Sequence, residues 1–395
     1  MKNVLELRFK EFSGEWEEKR LGDICKFYKG KNISKEDLSN EGIECIRYGE
    51  LYTTYNERID KVFNKTNLFS EELFLSKEND ILIPSSGETA IDISTSSCIL
   101  KNNVALGGDI NVIRSQNNGI FLAYYLNYAR KKDIAKLAQG ISIIHLYINN
   151  LKVLKVKLPS LPEQQKIASF LSAIDKKIEL TDKKLEYLES YKKGLMQKLL
   201  TGEIRFPGFN DEWKEEKLGD LLTEIKKEKI ENQQLYKVAN IQLYGKGMKH
   251  TNKTPNITEK GRPYFIINEG DILIGKQAFH CGSIAIATKD FQNCVTSNAI
   301  LHTIENSQKL IKDFIVLYLK NESFYNSLKN ISEGTGQKEI AKNEFNNIKI
   351  NIPSLPEQQK IASFLSAIDK KIELTKSRLE NLKTYKKSLL QKMFV

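Results

Sequence analysis

The residue types that most often do chemistry are sparse in this sequence. Its 395 residues include four histidines (His145, His250, His280, His302) and five cysteines (Cys25, Cys45, Cys98, Cys281, Cys294). His280 and Cys281, taken with Cys294 and His302, invite a zinc reading, but their spacing fits no familiar site and no C-x-x-C pair occurs. A scattered, odd set of thiols is instead that of buried cysteines in a reducing, cytoplasmic protein. There is no G-x-x-x-x-G-K-[ST] phosphate loop. No two prolines are adjacent, which removes the [DNS]-P-P-[YFW] tetrad of amino methyltransferases, and no Pro precedes Asp, which argues against a PD-(D/E)-x-K nuclease. The expectation is a chain with no catalytic residues, no metal and no cofactor of its own.

What remains is the chemistry of recognition. Lys and Arg number 61 against 50 Asp and Glu, a net charge of +11 that would concentrate an acidic polymer around the chain. Two pairs of aligned stretches carry side chains suited to nucleic-acid bases and phosphates. In the first half they are Arg47-Tyr48-Gly49-Glu50-Leu51-Tyr52-Thr53-Thr54-Tyr55 and Pro84-Ser85-Ser86-Gly87-Glu88. In the second half they are Ala239-Asn240-Ile241-Gln242-Leu243-Tyr244-Gly245-Lys246-Gly247 and Gly275-Lys276-Gln277-Ala278-Phe279. Arg suits guanine, Gln or Asn suits adenine, and Glu accepts from cytosine, whereas Lys reaches phosphate. The candidate readers are therefore Arg47, Tyr48, Glu50, Tyr52, Tyr55, Ser85 and Ser86, then Gln242, Tyr244, Lys246, Lys249, Lys276 and Gln277.

The elements that must position these loops are dictated by a repeat. The segment PSLPEQQKIASFLSAIDKKIELT occupies Pro159–Thr181 and again Pro353–Thr375, identical at all 23 positions. Weaker echoes join RFKEFSGEWEEKRLGDI from Arg8 to RFPGFNDEWKEEKLGDL from Arg205, and NDILI from Asn79 to GDILI from Gly270. The chain thus reads as globular unit, helix, globular unit, helix, with boundaries at 1–158, 159–200, 201–352 and 353–395. Each unit, of about 150 residues, is of ordinary domain size. Inside them short strands such as Ile81–Ile83 and Ile272–Ile274 alternate with Gly and Asn turns. One inner helix is expected in each unit, near Ile120–Leu137 and Leu310–Leu328.

Each long helix opens on an S-x-x-E capping box, Ser160 with Glu163 and Ser354 with Glu357, with Pro162 or Pro356 in the first turn. Apolar residues then recur at alternating steps of four and three: Ile167, Leu171, Ile174, Ile178, Leu185, Leu188, Leu195, Leu199, and Ile361, Leu365, Ile368, Ile372, Leu379, Leu382, Leu389, Met393. That is a heptad seam, weakened at Thr181 and Lys192, on rods of roughly 55 Å. The end of the first rod and the start of the second both adjoin the second unit, so the rods are expected to lie antiparallel with one unit at each end. The predicted fold is α+β: two mixed α/β units separated by a long antiparallel two-helix coiled coil, a tandem repeat with pseudo-two-fold symmetry. Off the seam, Lys176, Lys177 and Glu179 recur as Lys370, Lys371 and Glu373, either through recent copying or because both copies dock one kind of partner. The opening MKNVLELRFKEF has no long apolar run or cleavage site, and nowhere do 18 apolar residues follow one another, so neither a signal peptide nor a membrane span is expected.

These features resemble the specificity subunits of type I restriction–modification systems. The most specific elements are the two S-L-P-E-Q-Q-K-I helix starts, the E-W-x-x-x-x-L-G-D openings at Trp16 and Trp213, and the RFPGF join at Arg205. The resemblance implies two unlike target-recognition domains that read an asymmetric, interrupted site on double-stranded DNA. It implies that two modification subunits, S-adenosylmethionine-dependent adenine methyltransferases, dock on Glu163–Leu200 and Glu357–Phe394, and that motor-nuclease subunits using ATP and Mg complete the restriction enzyme. The join Leu199-Leu200-Thr201-Gly202-Glu203 has no extra spacer repeat, so rod length alone would set the gap between half-sites. The competing reading is a coiled-coil scaffold that binds proteins and has no DNA specificity. A self-sufficient nuclease–methyltransferase is disfavoured by the missing motifs.

Overall fold

The computed structural model describes residues 7–31, 33–231, 235–257, 261, 263–328 and 340–394. The first six residues of the opening segment discussed above lie outside that set. The chain forms two compact units, Met1–Asp182 with Ser377–Val395, and Lys183–Lys376. Each takes in half of each long helix. The boundaries at 158, 200 and 352 mark changes of element along the chain, whereas these units are divided by packing.

In the first unit a five-stranded sheet runs in the order Cys25–Lys29, Ile110–Ser115, Ile81–Pro84, Ser97–Ile99, Arg58–Ile59, antiparallel except for its last pair. A second sheet of four strands runs Ala105–Leu106, Ile43–Ile46, Asn64–Thr66, Leu38–Ser39. The apolar Ile81–Pro84 strand is buried along its whole length, as a run with no polar alternation requires. The opening strand Glu17–Arg20 pairs with Lys155–Leu158, immediately before the long helix, and so ties the two ends of the unit together.

The second unit repeats this plan with different parts. Its sheets run Leu222–Glu224, Ile300–Glu305, Ile272–Gly275, Ile284–Ile286 and Met248–His250, Lys237–Ile241, Cys294–Ser297, Tyr264–Ile266. Lys214–Lys217 pairs with Lys349–Ile352 as the closing ribbon. The inner helices differ. In the first unit Gly119–Tyr125, a widened π turn Leu126–Arg130 and Lys131–Leu137 follow one another without a break, close to the expected span. In the second unit the single helix expected over Leu310–Leu328 is two, Lys312–Leu319 and Glu322–Ser327. Asn321 makes the break, because its Oδ1 accepts from the Ser323 amide at 3.0 Å and starts a new helix there.

The long helices are Leu161–Leu200 and Leu355–Met393, 40 and 39 residues, or about 60 Å each. Within the first unit Ile167 and Leu171 share a core with Leu390, Met393 and Phe394, so the start of one helix lies beside the end of the other. Within the second unit Leu199 and Leu200 share a core with Ile361, Leu365, Ile368 and Ile372. The helices are antiparallel in both. An ion pair recurs with this packing: Lys386 Nζ lies 2.8 Å from Asp175 in the first unit, and Lys192 Nζ lies 2.6 Å from Asp369 in the second. Thr181 and Thr375 are buried in the seam. Each hydroxyl is satisfied by donating to the carbonyl four residues back, at 2.7 Å from Lys177 O and Lys371 O.

The capping-box reading is corrected. The Glu163 carboxylate does not turn back to Ser160 but takes both Nε and Nη2 of Arg8 at 2.7 Å, and Glu357 takes Arg205 at 2.8 and 2.7 Å. Both glutamates are 1% exposed. The neighbouring glutamines complete a latch. Gln164 Oε1 accepts from Asn118 N at the start of the inner helix while its Nε2 donates to Asn117 Oδ1 and Pro159 O. Gln358 does the same with Ile311 N, Lys309 O and Pro353 O. Phe9 meets Phe170 edge-on at 5.6 Å and Phe206 meets Phe364 at 5.3 Å. The repeated R-F and E-Q-Q motifs are thus one device for fastening a head to its rod.

Candidate nucleic-acid interface

The structure sorts the candidate readers by access. In the first unit Glu50 is buried, accepting from Asn64 Nδ2 at 2.7 Å and Arg47 Nε at 3.3 Å. Tyr55 is buried with its hydroxyl accepting from the Phe63 amide, and burial pushes that phenol up to about 12. Ser85 and Ser86 are buried too, Ser86 in a short strand paired with His145. These four side chains are buried, where the sequence reading expected exposed loop positions. Alternating polar and aromatic residues looked like a loop, but Glu50–Thr53 is a turn of helix with one side turned inward. Tyr48 is exposed, and Arg47 and Tyr52 are half-buried. Burial, with nearby Tyr48, Asp92 and Glu88, raises the Tyr52 phenol, so it remains a hydrogen-bond donor at neutral pH.

In the second unit the aligned stretch folds differently. Lys237–Ile241 and Met248–His250 form a hairpin, and Gln242–Gly247 is its loop. Tyr244 (φ 59°), Gly245 (φ 67°) and Gly247 (φ 80°) all take the left-handed conformation that a tight reversal needs. Tyr244 stands 60% exposed at the tip, with Lys246 and Lys249 exposed and Gln242 half-buried. The loop is held from behind by Tyr244 N donating to Cys281 O and Gly245 N to Gly282 O. Those partners lie at or just beyond the Lys276–Cys281 turn, which carries the half-buried Lys276 and Gln277. All six second-unit candidates therefore sit on a hairpin and the turn that braces it.

Sequence reasoning missed one first-unit feature. Gln139 and His145 bridge each other through both backbone bonds, at 2.9 and 2.7 Å, and present a tip in which Ile141 is 98% exposed. Gly140 (φ 131°) makes that reversal, since a Cβ there would lie 2.1 Å from Ile143 O. The signal was present as a Gly followed by isoleucines outside any helical or strand period.

The titratable cluster of the second unit is structural. His302 accepts or donates at 2.7 Å to Thr296 Oγ1 and stands 3.3 Å from Asp271, an order that resembles a nucleophile, base and acid. All three are almost wholly buried, so no substrate reaches them. The aligned Asp80 of the first unit is held instead by Arg114 at 2.7 and 2.6 Å. Cys294 Sγ lies 3.5 Å from His250 Nδ1, the imidazole stacks on Phe291 at 4.2 Å, and burial raises the thiol. Among the described residues no group of three or more His, Cys, Asp or Glu is placed to hold a metal ion, and no helix is long and apolar enough to cross a membrane.

On the long helices the predicted docking residues Lys176, Lys177, Glu179, Lys370, Lys371 and Glu373 are exposed. Directly after them the structure adds an apolar residue in each copy, Leu180 at 57% and Leu374 at 62% exposed.

Two mixed α/β units with unlike exposed loops, each joined to a long helix by the same Arg–Glu and Gln latch, define a tandem-repeat class of protein. The chain belongs to the type I restriction–modification specificity family, because the profile of the Type I restriction modification DNA specificity domain matches residues 13–190 and again 210–384. It is 29% identical to the type I restriction enzyme MjaVIII specificity subunit of Methanocaldococcus jannaschii, over 98% of this chain and 94% of that protein. It is 24% identical to a putative type I specificity subunit of Mycoplasma pneumoniae, over 97% and 96%. The crystal structure of the type I S subunit from M. genitalium shares the fold with a TM-score of 0.63 at 17% identity, covering 99% of both chains. The HsdS subunit of Thermoanaerobacter tengcongensis does so with a TM-score of 0.52 at 17% identity, covering 97% of both. The chain is a specificity subunit, the non-catalytic recognition component of such a system.

Proposed function

We propose that the chain reads an asymmetric, bipartite site on double-stranded DNA, one half-site per unit, and that its long helices each hold one adenine methyltransferase subunit. The observation that carries this reading is the contrast between what repeats and what does not. Lys176, Lys177, Glu179 and Leu180 recur as Lys370, Lys371, Glu373 and Leu374, all exposed, as two copies of one docking surface would. The reading elements at aligned positions are a helical turn in one unit and a hairpin in the other, as two unlike half-sites would need. A bound methyltransferase would supply S-adenosylmethionine and receive a flipped adenine, and motor-nuclease subunits would bring ATP and Mg. The available readers are Arg47, Tyr48 and Tyr52 in the first unit, and Gln242, Tyr244, Lys246, Lys249, Lys276 and Gln277 in the second.

The test is a genome-wide map of adenine methylation with and without the gene. The expected result is loss of one interrupted motif with unlike halves. A palindromic motif would sink the unlike half-sites, and no change would sink the reading in favour of a protein scaffold. For docking, Leu180→Asp and Leu374→Asp are each expected to lower the captured methyltransferase from two copies to one, counted by native mass spectrometry.

A further inference from the structure

The second unit contains a cleft of about 830 Å³ behind the recognition hairpin, lined by residues that include Lys192, Lys193, Tyr244, Lys320, Asp369 and Lys376. Most of its cations are answered. Lys192 lies 2.6 Å from Asp369, Lys193 2.9 Å from Glu322, and Lys376 2.6 Å from Glu189. Lys320 is the exception. Among the described residues no carboxylate lies within ion-pair distance of its ammonium. Burial pushes that ammonium down from its ordinary range and Lys192 adds to the effect, against a smaller pull from Asp369. Asp369 pairs with Lys192 and leaves Lys320 unanswered in a partly dehydrated cleft, an arrangement that an incoming anion relieves.

In the first unit the corresponding rod lysine is answered by two carboxylates. This lysine, Lys386, stands 2.8 Å from Asp175 and 3.2 Å from Glu57, over the ring of Tyr124, whose hydroxyl also donates to Asp175. Counting from Phe121 and Phe314, the buried phenylalanine of each inner helix, Asn127 occupies the place of Lys320. Its side chain is spent on the Ser96 amide and carbonyl, at 2.7 and 2.9 Å. The first unit therefore has no lysine at the Lys320 position.

The hairpin adjoins the same cleft. Gly245 packs directly on the Lys320 stem, so closely that a Cβ there would lie 3.1 Å from Lys320 Cβ. Tyr244 forms a wall of the cleft and is also the exposed tip of the recognition loop. A duplex engaged by that tip would bring its backbone near the cleft that Tyr244 lines. We infer that Lys320 is a sequence-neutral anchor that takes a backbone phosphate of the DNA read by the second unit. This rests on the DNA-reading function proposed above and adds to it a fixed positioning contact at a place where the first unit has Asn127.

Lys320→Gln keeps the stem and removes the charge, and Lys320→Arg keeps the charge. Binding of the full chain to two duplexes of unrelated sequence, titrated against salt, is expected to show a log–log slope shallower by about one for Lys320→Gln. The loss should be equal for both duplexes and restored by Lys320→Arg. An unchanged slope, with wild-type binding still salt-dependent, overturns the anchor. So does an unchanged slope with weaker methyltransferase capture, which would assign the anion to a carboxylate of that partner. Absence of salt-dependent duplex binding by the wild type would instead defeat the DNA reading itself. Amine-reactive labelling of wild-type Lys320 provides a measurement that does not depend on a variant folding. Duplex is expected to protect it, and equal labelling with duplex or with inorganic phosphate alone overturns the proposal.

Discussion

Asp80 and Asp271 show how one framework residue is satisfied in two ways. Each is buried at the start of a matching apolar strand, but Asp80 has the fork of Arg114 and Asp271 has the imidazole of His302. Replacing Arg114 by Ala leaves Asp80 charged, buried and unpaired, and is expected to destabilise the chain by about 3–5 kcal/mol in chemical denaturation. The thiols make a second prediction. Burial lifts Cys25 and Cys45 to about 11 and Cys98 to about 12, from 9.0. Their contribution to stability is intact below pH 9.0 and is lost as pH climbs through those raised values, because only the unfolded chain ionises freely. A disulfide exchange reagent at pH 8 is expected to leave all three unmodified until denaturant is added. The scatter of the thiols was legible in the sequence, since it follows from spacing, and all five are free. The inward side of Glu50 and Tyr55 was not legible, because a single turn of helix is too short to show a period.

The long helices were the most legible elements, since a seam of eight apolar positions leaves little choice of partner face. Leu171 and Leu365 are wholly buried, and Leu→Ala at either is expected to cost about 2–5 kcal/mol by equilibrium unfolding. Their starts were misread. S-x-x-E is a capping signature in isolation, but a nearby arginine offers the carboxylate a bidentate partner, which is worth more than a backbone amide. The broken inner helix of the second unit had a readable cue in Lys320-Asn321-Glu322, where an N-capping residue sits mid-pattern. As a ruler test, four residues inserted near Lys198 add about 6 Å of helix. They are expected to widen the gap between half-sites in the methylated motif and leave each half unchanged. Altered half-sites would mean that rod and readers are not separate.

At the scale of the chain, duplication was visible because the helices repeat almost without change, while the heads that perform recognition have diverged. Framework identities such as DILI survived in both heads because they are buried, and the reading loops kept no common conformation. Aligning Glu50-Leu51-Tyr52 with Gln242-Leu243-Tyr244 paired a helical turn with a hairpin tip, so residue-by-residue transfer of a reading code between heads fails on physical grounds.

The core of the first unit is completed by Leu390, Met393 and Phe394, which arrive from the far end of the sequence. A fragment stopped at Leu200 would lack them, yet its own last turns carry the corresponding Met196, Leu199 and Leu200. Such a fragment has one economical way to fill the hole: two molecules exchange tails, each plugging the other. It would then sediment as a symmetric pair and present two identical heads.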